Sequence, residues 1–172
     1  MRKILLISIL ALTAVFMAAC EADVPLPDIV EDIPVAEGMQ RAGAEGFGFV
    51  NVPDYWTQFL ADADVLELSD PDYENFIILQ RITEVMDIED LIQLAAVFMD
   101  EHGGEDITGG DANVNGIDAR VVFATFPADD TVMAAYIFEG NGGILHKIRI
   151  EAPHDNIGEV ANFVLTSFSL SH

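Results

Sequence analysis

Cysteine is nearly missing from this chain: Cys20 is the single one in 172 residues. No internal disulfide can form, and no second thiol exists to complete a redox pair or a soft metal site. Cations are almost as scarce. Lys and Arg number 7 against 30 Asp and Glu, a formal net charge of −23. Arg2 and Lys3 stand at the start, and only Arg41, Arg81, Arg120, Lys147 and Arg149 oppose the acids elsewhere. Such a surface repels nucleic acid, which is excluded as a partner, and attracts cations and basic proteins weakly and in a salt-dependent way. Catalytic signatures are also wanting. There is no G-x-S-x-G elbow, and the serines of the C-terminal TSFSLSH have no such setting. The Gly-rich stretches GAEGFGF and GGEDITGG lack the lysine and the strand–loop–helix context of a phosphate loop. The chain is therefore read as non-enzymatic, with a hydrolase of unknown type as the most distant alternative and no catalytic residue to name.

Long apolar runs are absent but for one, Ile4–Phe16. It follows Arg2 and Lys3 and precedes small Ala18 and Ala19, the three-part layout of a secretory signal over residues 1–19. It falls short of the roughly 20 residues of a membrane span. MAAC at 17–20 resembles the lipobox of bacterial lipoproteins, with Met17 where Leu is usual. That resemblance implies that Cys20 is lipidated and becomes the N-terminus. It implies an extracytoplasmic protein of the cell envelope, held to the membrane by its lipid. Glu21 rather than Asp follows the cysteine, so in a Gram-negative cell the outer membrane is expected. Residues 20–44 are expected to be the lipidated N-terminus and an acidic tether, since Pro25, Pro27 and Pro34 oppose regular structure. Residues 45–172 remain for one domain, long enough to bury a core.

Within that domain, GFGFVNV at 46–52, VLELS at 65–69 and NFIILQRI at 75–82 read as strands. Ile88, Leu91, Ile92, Ala95 and Met99 then recur at helical spacing, and Leu94 and Phe98 widen the stripe. Asp87 is a fitting N-cap, and Gly103-Gly104 ends the helix. Strands are expected at 117–126, 131–139 and 143–152, separated by the turns PADD and GNGG. The last alternates: Ile144, His146, Ile148 and Ile150 on one face, Leu145, Lys147, Arg149 and Glu151 on the other. A final helix begins near Asp155 with the stripe Ile157, Val160, Ala161, Val164, Phe168. The fold class is α+β: an antiparallel sheet of about six or seven strands with one inserted and one C-terminal helix.

The opening GFGFVNVPDYW, the mid-chain helix, the strands NGIDARVVF and GILHKIRIEA and a closing helix ending in TSF resemble the PsbP-like family. Tyr55 stands where that family more often has Gly. The resemblance implies the PsbP-like fold and a non-catalytic role, binding or assisting assembly of an envelope protein partner. It brings no shared catalytic residues.

Two constellations carry chemistry. DANVNG places Asp111, Asn113, Asn115 and Gly116 at positions 1, 3, 5 and 6 of an EF-hand loop, with Asp118 close by. Position twelve is Val122, not the bidentate Glu. A calcium-responsive ligand-binding domain using the Asp111–Asp118 loop is thus the alternative function, with calcium its ion and no other cofactor implied. The competing reading is a type I′ hairpin turn at Asn115-Gly116, since both residues accept positive φ. The second constellation is cationic. Lys147 and Arg149 share a strand face, and Arg120 joins them if the register allows, making an anion or partner site on an acidic body. Pairing with Asp118, Glu139 or Glu151 is the plainer reading. His146, on the apolar face, is expected to be a core residue with one hydrogen-bond partner.

Overall fold

The computed structural model describes residues 33–171. Cys20, the signal segment and most of the expected tether lie outside them. The described residues form nine strands and two α-helices in three layers. β1 (Met39–Ala44) and β2 (Gly48–Pro53) make a two-stranded antiparallel sheet. β3 (Thr57–Asp62), β4 (Val65–Ser69) and β5 (Phe76–Ile82) precede α1 (Ile88–Glu101). β6 (Glu105–Val114), β7 (Ile117–Phe126), β8 (Thr131–Glu139) and β9 (Leu145–Pro153) precede α2 (Ile157–Ser167). The main sheet has seven antiparallel strands in the order β3-β4-β5-β9-β8-β7-β6. The α+β reading holds, with its inserted and terminal helices.

The hairpin reading of Asn115-Gly116 makes 110–114 a strand, and β6 extends it back to Glu105; two further elements differ from expectation. The last six residues of the segment read as tether, Met39–Ala44, are strand β1 and pair with β2 throughout. The prolines that oppose structure all precede them, and Ala42 is buried against Val50 and Val52. β3 was not anticipated; it pairs with β4 directly after the Pro53–Trp56 turn.

Local chemistry explains the helix ends. The Asp87 carboxylate accepts from the Asp90 N–H at 2.8 Å, and Glu89 and Asp90 sit at the positive end of the helix dipole. At the other end Gly103 takes φ +85°, so that Gly104 N–H reaches Met99 O and Gly103 N–H reaches Asp100 O, a Schellman closure. β8 is buried from Val132 to Phe138 because both sheet faces are covered.

One face carries the larger core. There α2 and the β1–β2 hairpin pack Val52, Val164 and Phe168 against Leu68, Ile77, Phe138 and Ile150. The C-terminal segment stitches the hairpin on: Phe49 and Ser169 exchange backbone hydrogen bonds of 2.8 and 2.9 Å, and Asn51 N–H donates to Ser167 Oγ at 2.7 Å. On the opposite face α1 lies mainly over β7 and β8, with β6 beside them and its first turn reaching Leu145 of β9. Met99 meets Val122, Ala124, Met133 and Ala135, and Leu91 meets Ile137 and Leu145. Beyond Leu145 and Ile82 the β9-β5-β4 half of that face is flanked by the edge of α1 and not covered by it.

Candidate functional site

The groove beside α1 collects the clearest chemistry. Its wall is the helix flank formed by Leu91, Leu94, Ala95 and Phe98, with Met86 from the preceding loop. Its floor is the uncovered sheet, including Gln80, Lys147 and Arg149. The volume of this open groove is about 460 Å³, within the roughly 300–1,000 Å³ of small-molecule pockets. Exposed Asp62 and Glu84, with Asp64, stand around it.

Strand register puts the cations there. Lys147 lies between Gln80 of β5 and Ile137 of β8, and Arg149 between Ile78 and Ala135. Side chains alternate along β9, so both cations face α1 while His146, Ile148 and Ile150 face the larger core. The two cations differ in company. Arg149 Nε pairs with Glu151 Oε1 at 2.8 Å, and its guanidinium lies over the Phe98 ring at 5.7 Å. Lys147 makes no ion pair or hydrogen bond with any described side chain. Burial, and then the nearby Arg149 charge, hold its ammonium below the usual lysine range. It is a half-buried cation without a counter-charge among the described residues.

Arg120 is on the same sheet face, in register with Ile137. It does not join the other two. Leu91 of α1 packs on Ile137, the residue separating Arg120 from Lys147, so the helix stands between them. Arg120 instead pairs with Glu89 at 2.8 Å and Asp111 at 3.3 Å. Arg81 pairs in register with His146 and so belongs to the opposite face.

The DANVNG stretch takes the hairpin conformation. Asn115 and Gly116 have φ of +46° and +88°, as a type I′ turn requires. Asn113 Oδ1 accepts from Gly116 N–H at 2.7 Å, and Asn115 Nδ2 donates to Phe168 O at 2.9 Å. Asp111 lies opposite Arg120, and Asp118 opposite Asn113. Among the described residues no group of three His, Cys, Asp or Glu converges as metal ligands would.

His146 is buried as expected but without the expected partner. Its Nδ1 has no hydrogen bond, and the ring stacks on Phe138 at 5.6 Å. Burial first, then the Arg81 charge, lower its pKa. A signal for the groove did exist in the sequence. The α1 stripe is wider than the core it covers, and the two residues that widen it, Leu94 and Phe98, are 55% and 37% exposed.

No protein-family model matches the chain, and no curated protein matches it. Solved structures do share the fold. A protein of Bacteroides thetaiotaomicron VPI-5482 superposes with TM-score 0.54 at 12% identity over 78% of this chain, which spans about half (49%) of that one. LpqN, involved in cell envelope biogenesis of Mycobacterium tuberculosis, superposes with TM-score 0.50 at 17% identity over 76% of this chain and 90% of its own. At these identities the likeness concerns the fold. No helix among the described residues is long and apolar enough to cross a membrane.

Proposed function

We propose that this chain is a cell-envelope lipoprotein with a PsbP-like domain, anchored through Cys20, that binds an envelope partner through the α1 groove and performs no catalysis. The carrying observation is Lys147: a desolvated cation left unpaired on the floor of a hollow whose wall holds apolar side chains in the open. Unpaired charge taken from water is costly, and such an arrangement is retained where a ligand supplies the missing partner. The MAAC segment and a fold neighbour concerned with envelope biogenesis agree on location.

A photo-reactive residue at Leu94, on the groove wall, tests the reading in cells; the same residue at Val97, exposed but outside the lining, is the control. Crosslinks from position 94 that vanish with Lys147→Glu support groove binding, and equal or absent crosslinking at both positions refutes it. Mass spectrometry of the isolated protein tests the anchor, with a diacyl or triacyl group on Cys20 as the expected result and a free thiol as the refuting one.

A further inference from the structure

We infer that the groove's occupant is a single-chain amphiphile bearing one acidic head, a carboxylate or a phosphate, whose acid meets Lys147 while its chain lies along α1. This rests on the binding reading above and names its ligand class.

Three features carry it. The first is charge. Lys147 has no anionic partner among the described residues, whereas its neighbour Arg149 is already committed to Glu151. A neutral or cationic head leaves Lys147 uncompensated, and an acid completes a charge-assisted hydrogen bond in a site of lowered dielectric. The second is the apolar wall. Leu91, Leu94, Ala95 and Phe98 recur at helical spacing over about two turns, roughly 11 Å along the axis. Leu94 and Phe98 stay 55% and 37% exposed, so chain carbons laid on them remove apolar surface from water. A bare inorganic anion leaves that surface wet. The third is the rim. Asp62, Asp64 and Glu84 line the groove, and the full chain carries −23. A polyanion is repelled there, whereas one acid on a slim chain passes the rim and reaches the floor. Arg120, the third cation of this sheet face, is screened by α1 and occupied by Glu89 and Asp111, and Arg149 is paired with Glu151, so the floor cation left for an acid is Lys147.

The chain provides its own reporter, because Lys3 and Lys147 are its only lysines. The full-length protein, in phosphatidylcholine nanodiscs and reductively methylated with carbon-13, gives at most two lysine signals, and Lys147→Gln identifies one. The probes are octanoate, octyl phosphate, octanol, acetate and inorganic phosphate, with empty nanodiscs correcting for partition. Octanoate and octyl phosphate are expected to shift the Lys147 signal saturably, at least tenfold more tightly than acetate or inorganic phosphate, while octanol leaves it in place. Whichever of the two octyl acids binds tighter identifies the head. Leu94→Gln, at an exposed position, is expected to weaken both octyl acids severalfold without changing the melting temperature. Inorganic phosphate binding as tightly as octyl phosphate overturns the inference, as does an unmoved Lys147 signal at saturating octanoate. If position 94 still crosslinks an envelope protein in that event, the ligand class falls and the binding reading survives. If neither occurs, both fall.

Discussion

Removing the Phe168 ring tests how the two sheets are joined. Phe168 is 1% exposed and meets Phe138 edge-to-face at 5.2 Å. Gly48 of β2 lies against the same ring: a Cβ added there falls 2.4 Å from Cε2 and Cζ. Phe168→Ala deletes a full aromatic side chain from a closed core, a change of about 3–5 kcal/mol. At roughly 2–4 °C per kcal/mol for a domain of this size, the melting temperature falls by about 6–20 °C. Gly48→Ala acts by two routes. The methyl overpacks the Phe168 ring, costing about 1–3 kcal/mol, and φ of +100° is unfavourable for any L side chain. In a Phe168→Ala background the first route disappears and the second remains. The double mutant is therefore expected to be less destabilised than the two singles together by about 1 kcal/mol or more. Urea unfolding followed by the fluorescence of Trp56, the single and buried tryptophan, measures the cycle. Additivity within about 0.5 kcal/mol, or a Phe168→Ala loss below about 1 kcal/mol, refutes the claim that this contact closes the larger core.

Other expectations follow from the same structure. Lys147→Met removes a desolvated, unpaired cation. The folded state holds the lysine pKa low, so the charged form costs stability wherever the unfolded chain is protonated, and the variant's melting temperature at pH 7 is expected to rise while groove ligands are lost. His146 is also held below its ordinary value, so the unfolded chain takes up that proton first. Stability is full above about pH 6.5 and declines as pH falls toward the folded-state pKa; His146→Phe flattens that part of a pH–stability curve, and an unchanged curve refutes the assignment. Glu89→Gln breaks an exposed ion pair with Arg120 and is expected to change stability by less than about 1 kcal/mol, without effect on the groove, as urea titration will show. Gly116→Ala meets no atom within 4 Å, so its loss of about 1–2 kcal/mol is conformational. Added calcium is expected to leave the melting curve of the parent protein unmoved, and a rise would support the calcium reading of Asp111–Asp118.

Local pattern made much of this molecule legible. The period-2 alternation of β9 placed Lys147 and Arg149 on one face and His146 on the other, because that geometry needs only the strand itself. Asp87, Gly103 and Asn115-Gly116 announced a helix start, a helix stop and a hairpin for the same reason: each acts through backbone within a few residues. Strands β1 and β3 were hidden, since MQRAGA and TQFLAD show neither a strong period nor strand-rich composition and owe their form to partners, β2 and β4.

What the order of residues determined unaided was therefore the class of fold, the paucity of thiols and cations, and the shared face of Lys147 and Arg149. Only the tertiary structure decided the site. The path of α1 across β7 and β8 severs Arg120 from the other cations and gives it to Glu89 and Asp111. The same path leaves β9 and β5 uncovered beyond Leu145 and Ile82, with Leu94 and Phe98 at the edge and Lys147 on the floor without a counter-charge among the described residues. Where one helix comes to rest on a sheet depends on packing between segments distant in the chain, and no window of neighbouring residues contains that information.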